Sequence, residues 1–157
     1  MWRKPGQSFS AQERKRKDGD TVYVIGVFDL FHRGHLEFLE AARALGGELI
    51  VAVNGDEMVE SYKRRPVSCE ADRLSIIQGL RCVDHAFVIN GYDNRKELIR
   101  HGVDVIVHGN DWEAASYMKQ IVVDQSFLDA YKIRLEFTPY YKGVSTSSII
   151  ATIKGAP

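Results

Sequence analysis

Two histidines bracket a glycine at His32, Gly34 and His35, inside the stretch GVFDLFHRGHLEFLE that spans residues 26–40. The stretch follows a β-branched run and leads into a helical pattern, so both imidazoles belong at a helix N-terminus. Free backbone N–H groups and the helix dipole favour anions there. Two imidazoles add side-chain donors for phosphate oxygens, and Gly34 removes a side chain where a nucleotide would approach the backbone. The pair reads as a phosphate clamp. His32 and His35 are candidate catalytic residues, Val27, Phe28 and Asp29 are candidate nucleotide contacts, and Asp29 is also a candidate for positioning a metal or a loop. A zinc site would need further ligands, and His85, His101 and His108 are not spaced to supply them.

Further chemistry-bearing residues lie downstream. Lys63, Arg64 and Arg65 form a cationic run before Pro66, Arg73 precedes a helical apolar pair, and Arg81 ends a helix. Gly109, Asp111 and Trp112 follow a buried-strand pattern, where a loop can stack on and hydrogen-bond a base. Val144, Ser145, Thr146 and Ser147 open the last helix, so hydroxyl and N–H groups there can cap it, hold a phosphate, or do both.

These residues need a frame to bring them together. TVYVIGVF, ELIVAV, HAFVI, DVIVHG and KIRLEFTPY read as short buried strands. Helical patterns alternate with them: GHLEFLEAARAL stopped by Gly46 and Gly47, EADRLSIIQGL, NRKELIRHG ending at Gly102, and STSSIIATIKG. The stretch from Glu113 to Ala130 reads as one long helix or as two with a break near Asp124. Strands alternating with helices imply a parallel sheet covered on both faces. The expected fold is a Rossmann-like three-layer α/β/α domain on a five-stranded parallel sheet, over residues 21–155. Residues 1–20, with Pro5, Gly6 and the basic run from Arg14 to Lys17, read as a flexible tail.

Composition narrows the function classes. At 157 residues the chain suits one domain with a substantial core. Lys plus Arg and Asp plus Glu both total 21, so the net charge is zero, against the basic balance of a dedicated nucleic-acid binder. Any cationic site must be local. No apolar run approaches the ~20 residues of a membrane span, and the first twenty residues lack the hydrophobic centre of a signal peptide, so the expected compartment is the cytoplasm. Cys69 and Cys82 make neither a disulfide framework nor a zinc set.

GVFDLFHRGH resembles the G-x-F-D-x-x-H-x-G-H signature of the cytidylyltransferase branch of the nucleotidyltransferase superfamily, which includes adenylyl-transferring relatives. RCVD at residues 81–84 resembles the R-Y-V-D of glycerol-3-phosphate cytidylyltransferases, HGNDWE at 108–113 their G-D-D-W-E, and GVSTSSII at 143–150 their G-I-S-T-T-x-I. The resemblance implies CMP transfer from CTP to a small phosphorylated alcohol, with glycerol 3-phosphate the leading acceptor, Mg²⁺ carried mainly by the triphosphate, and a homodimer. It implies that Arg81 lies at the nucleotide phosphates with His32 and His35, and that a basic segment holding catalytic Lys63 and substrate-binding Arg64 and Arg65 closes on the acceptor; Arg73 is a separate substrate-binding candidate. Neither nucleic acid nor membrane is an expected partner.

The chain also departs from that pattern. Tyr140, Tyr141, Lys142 and Gly143 stand where those enzymes have R-T-E-G, Cys82 replaces the tyrosine of R-Y-V-D, and the segment from Met118 to Asp129 is longer. KRRP followed by a D-R dipeptide echoes heptose-phosphate adenylyltransferases. Adenylyl transfer to a sugar phosphate or FMN is therefore the alternative, and a non-catalytic nucleotide-binding regulator the second.

Overall fold

The computed structural model describes residues 18–155 apart from 112 and 140. Five parallel strands form one sheet: β1 (Thr21–Gly26), β2 (Glu48–Asn54), β3 (His85–Ile89), β4 (Val105–Gly109) and β5 (Arg134–Thr138), in the order β3-β2-β1-β4-β5. This is the expected Rossmann-like α/β fold. The tail expected over residues 1–20 lies outside the described residues up to 17. At its end Asp20 is tied to the domain, accepting the Gly47 N–H at 2.9 Å and pairing with Arg134 at 2.9 Å.

Alternation along each strand divides the core into two layers. Tyr23, Ile25, Ile50, Ala52 and Ile106 point to one face, where Leu98, Tyr117 and Leu128 cover them from helices α4 (Arg95–Arg100), α5 (Ala114–Gln120) and α6 (Gln125–Tyr131). Val22, Val24, Leu49, Val51, Val53, Val105 and Val107 point to the other, against Leu39 and Ala42 of α1 (Arg33–Arg43) and Ile77 of α3 (Glu70–Gln78). Both faces of β1 and β2 are dry, which is why these strands read as continuous apolar runs. Each fully buried Val, Leu or Ile contributes roughly 1.5–3 kcal/mol.

Local chemistry sets the element ends. A Cβ on Gly46 or Gly47 would run into the carbonyl oxygens of Asp20 and Asp18, so only glycine lets α1 turn this closely into β2. The stretch from Glu113 resolves into two helices, because Val122 adopts a left-handed φ of 59° and Asp124 caps α6 by accepting the Phe127 N–H. A short helix α2 (Asp56–Glu60) follows β2 without a clear periodic signal in the sequence, and α7 (Thr146–Ile153) closes the chain. Among the described residues no helix is long and apolar enough to cross a membrane.

Strand order reverses between β1 and β4. A crevice opens at the carboxyl edge of such a sheet, where α/β proteins of this type bind ligands.

Candidate active site

The turn from β1 into α1 is built around the two imidazoles. His32 is the N-cap of α1 in extended conformation, and its Nδ1 accepts the Gly34 N–H at 3.0 Å. His35, three residues on, accepts the His32 N–H through its own Nδ1 at 3.3 Å. This is a capping box with imidazoles in place of the usual Ser and Glu. Because each Nδ1 is an acceptor, each ring is neutral with its proton on Nε2. The rings stack with centroids 3.8 Å apart, and His35 also lies between Phe28 and Phe31. Burial, then the His32 ring, push the His35 pKa down to about 4, although Asp29 opposes them, and burial lowers His32 as well. The buried His32 Nε2 has no protein partner. It is a donor available to a ligand.

Gly34 has a nearer reason to lack a side chain than nucleotide approach. A Cβ there would sit 2.9 Å from His32 Cε1 and 3.3 Å from the Tyr141 ring, displacing the imidazole or the tyrosine that covers it.

Asp29 organises the rest of the crevice. Its neighbours Phe28 and Leu30 both have left-handed φ values, 54° and 48°, a strained backbone for residues with large side chains. The buried carboxylate accepts N–H bonds from Val67 at 2.9 Å and Ser68 at 3.0 Å, and pairs with Arg64 at 3.1 Å. Burial alone would raise its pKa, yet these donors outweigh burial and hold it below the ordinary carboxylate value. Its backbone carbonyl accepts the Thr146 hydroxyl at 2.9 Å. One residue thus joins the histidine turn, the basic loop and the start of α7.

The crevice encloses about 600 Å³, within the usual range for a small-molecule site. Val27, Phe28, Asp29, His32, Gly34, His35, Lys63 and Arg64 line it with Gly109, Asp111 and Ser145 to Ser147. Desolvation, then the neighbouring Arg64, pull the Lys63 ammonium below its ordinary pKa. Ser145 caps α7 in a reciprocal box with Ser148, which engages the Ser148 N–H, while Thr146 and Ser147, whose N–H groups have no partner within the helix, line the crevice where a phosphate would meet a helix N-terminus.

Four expected contacts fall elsewhere. Arg73 lies beneath the crevice, 1% exposed, donating to the carbonyls of Ser68, Val27 and Asn54 at 2.7–2.9 Å and pairing with Asp56 at 2.6 Å. It clamps the ends of β1 and β2 to the basic loop, and is a structural residue rather than a substrate contact. Arg81 is exposed on the turn between α3 and β3, at the amino edge of the sheet, opposite the crevice. Parallel topology puts every helix-to-strand turn on that edge. In the same motif Asp84 accepts the Leu49 N–H at 2.9 Å and pairs with Arg43. Arg65 pairs outward with Glu60 at 3.4 Å, and Val144 stands just outside the crevice lining. The base-stacking role read for Trp112, and the replacement of an arginine by Tyr140, lie outside the described residues.

The lining also includes residues that were not candidate contacts: Asn54, Tyr62 and Asn94, which carried no motif, and His108 and Tyr141, which lay within the motif stretches without an assigned role. His108 faces inward one position before Gly109, with Nδ1 3.1 Å from the Gly109 carbonyl oxygen, and burial lowers its pKa. Strand alternation after DVIV was the available signal for it. The described residues contain no group of three or more His, Cys, Asp or Glu side chains arranged to hold a metal. Both Asp29 oxygens are engaged by the basic loop, so this carboxylate fits loop positioning better than metal binding.

Comparison with known proteins shows the family to which the chain belongs. The bifunctional protein HldE of Syntrophotalea carbinolica is 34% identical over 145 residues, covering 90% of this chain and 28% of that protein. HldE of Helicobacter pylori strain G27 is 37% identical over 136 residues, 85% of this chain and 27% of its own length. The chain therefore spans little more than a quarter of these relatives. A lipopolysaccharide core biosynthesis protein from Thermoplasma volcanium superposes with a TM-score of 0.68 at 28% identity, over 79% of this chain and 99% of that one. A Thermus thermophilus pantothenate synthetase shares the fold, with a TM-score of 0.55 at 18% identity over 88% of this chain and 65% of that one. The family model described as cytidylyltransferase-like matches residues 23–152, from within β1 to within α7. With its histidine turn at the mouth of that fold, the chain is a member of the cytidylyltransferase-like family of nucleotidyltransferases.

Proposed function

We propose that this protein transfers a nucleoside monophosphate from a nucleoside triphosphate to the phosphate of a small phosphorylated alcohol or sugar, releasing pyrophosphate. The observation that carries the reading is the pair of mutually capped, neutral imidazoles at the switch point of the sheet, facing the N-terminus of α7 across one crevice. An oxygen of the acceptor phosphate attacks the α-phosphorus, and the bond to the β-phosphate breaks. With a second pKa near 6, a phosphate monoester is already dianionic at neutral pH and needs no general base.

In-line placement and stabilisation of the leaving pyrophosphate are what remain for the protein to supply. Both Nε2–H groups, Lys63, Arg64 and the first turn of α7 are the groups for that task. Mg²⁺ enters as the metal–triphosphate substrate, with phosphate oxygens as its principal ligands. A homodimer and a cytoplasmic setting remain the expected context.

Two donors are read from different residues. HGNDWE at 108–113 favours CTP, with glycerol 3-phosphate as acceptor. KRRP and the D-R dipeptide, together with the HldE relatives, favour ATP with a sugar phosphate. The deciding experiment is pyrophosphate release from Mg·CTP and Mg·ATP, each against glycerol 3-phosphate, phosphoethanolamine, phosphocholine, a heptose 1-phosphate and FMN. Release confined to one donor names it; silence with every pair, alongside measurable nucleotide binding, would replace the enzyme by a nucleotide-binding regulator.

A further inference from the structure

Lys63 lines the crevice, and it is held differently from the cation beside it. Asp29 grips the basic loop at Arg64, Val67 and Ser68, all of them beyond Lys63. The Lys63 backbone instead continues the last turn of α2, its N–H donating to the Val59 carbonyl at 3.0 Å. At five residues, α2 is far shorter than the ~12–15 at which an isolated helix begins to hold itself in water. Buried Met58 and Val59 anchor its inner side. Its exposed end must be fixed by other contacts.

Tyr92, on the loop between β3 and α4, supplies them. The Ser61 hydroxyl, at the C-cap of α2, donates to the Met58 carbonyl at 2.6 Å, which uses its single proton. The Tyr92 hydroxyl, 2.7 Å from Ser61 Oγ, is therefore the donor of the second bond. The Tyr92 ring also lies against that of Tyr62, with centroids 6.2 Å apart. Tyr62 in turn accepts an Asn54 N–H through its hydroxyl at 3.4 Å, and Lys63 Nζ stands 5.8 Å from the Tyr62 ring centroid, within cation–π range. On its other side Tyr92 is tied to the core. Its carbonyl accepts the carboxamide N–H of buried Asn94 at 2.9 Å, and Asn94 accepts the hydroxyl of buried Tyr23, from β1, at 3.0 Å. Hydrogen bonds and ring contacts thus run from the centre of the sheet to the root of Lys63, across segments 31 residues apart.

We propose that Tyr92 is a positioning residue for Lys63: its phenol fixes the end of α2 and the Tyr62 ring, and so holds the ammonium in the crevice beside the imidazoles. Tyr92 stands outside the crevice lining, so it acts through Lys63 and not on a ligand. The Lys63 charge reaches His35, whose pKa it helps to lower, so a displaced ammonium changes the surroundings of the clamp as well. What Lys63 does for a ligand rests on the transfer reaction proposed above. Where Tyr92 places Lys63 can be read without turnover.

The test is trace labelling of the full chain with acetic anhydride over a range of pH, with the titration midpoint of each lysine read by peptide mass spectrometry. Tyr92→Phe keeps the ring and removes the donor. In wild type the Lys63 midpoint is expected below the ordinary lysine value, through desolvation and then Arg64, with Asp29 opposing and Arg73 adding. In Tyr92→Phe it is expected to rise, as the ammonium gains water, while the other lysines titrate as in wild type. An unchanged Lys63 midpoint overturns the inference. If Tyr92→Phe fails to fold, Ser61→Ala, which removes the acceptor of the same bond, carries the test with the same expected rise. With a substrate pair that releases pyrophosphate, Tyr92→Phe is expected to lower kcat about tenfold and to have no further effect in a Lys63→Ala background. Additive losses in the double variant would give Tyr92 a role independent of Lys63 and overturn the inference too. Absence of release from every pair would sink the transfer reaction and leave the labelling result to decide the positioning; normal release by Lys63→Ala would overturn the inference and leave the reaction standing.

Discussion

His32 and His35 hold each other: His32 Nδ1 accepts the N–H of Gly34, His35 Nδ1 accepts the N–H of His32, and the rings stack 3.8 Å apart. Position and tautomer are fixed together, since a proton on either Nδ1 would remove one cap bond.

The capping and chemical roles of His32 can be separated. Asn caps a helix N-terminus well, so His32→Asn is expected to unfold in urea within about 0.5 kcal/mol of wild type while kcat falls about 10²–10³-fold. His35→Ala is expected to lose a similar factor in kcat. Near-wild-type turnover in either variant would remove the imidazoles from the chemistry.

Acid should destabilise the fold in a window set by His35. Its folded pKa of about 4 lies below the ordinary histidine value of 6.5, so between those limits the unfolded chain binds a proton that the folded chain does not. Stability is full above about pH 6.5 and falls as pH drops towards 4, by up to about 3 kcal/mol from this group. Asp29, also depressed, adds its loss only below that window, as its carboxylate protonates. Urea midpoints from pH 4 to 7, compared with His35→Gln, measure the first contribution. An identical slope in the variant would contradict it.

Asp29→Asn is expected to release the basic loop. The substitution removes the charge that holds Arg64 and turns one acceptor oxygen into a donor facing the Val67 or Ser68 N–H. Stability should fall by about 2–4 kcal/mol, and hydrogen exchange at residues 64–68 should accelerate. Unchanged protection of those amides would show that the loop is held by something else.

Gly34→Ala tests close packing over the clamp. The new methyl meets His32 Cε1 at 2.9 Å, so the ring must move. Activity is expected to drop about tenfold or more, while stability stays within about 1 kcal/mol, because alanine's better helix propensity offsets part of the clash.

Arg73→Lys addresses the buried clamp beneath the site. A lysine ammonium cannot span three carbonyls and the Asp56 carboxylate from one position. The expected loss is about 3–5 kcal/mol of stability, read from denaturant unfolding. A loss below about 1 kcal/mol would show that this clamp contributes little to holding the fold.

Much of this was legible in the residues themselves. Runs such as TVYVIG and ELIVAVN are apolar on both sides, and a chain must bury them between two helical layers. The H-x-G-H turn carries its geometry locally, because a cap and its partner three residues on need no distant contact. The family follows from the same local pattern. Tertiary structure decided the rest. RCVD looks the same on either edge of a sheet, and only the parallel topology places Arg81 at the edge away from the crevice. Arg73 reads as a cation in sequence, yet four acceptors from the turn after β1, from β2, from α2 and from the basic loop converge on it and close it off from solvent. Asn54, Asn94 and Gln120 lie tens of residues apart and carry no motif. Chain crossovers bring them to one crevice, because hydrogen-bonding chemistry at a site depends on which atoms face each other, and only the packed fold determines that.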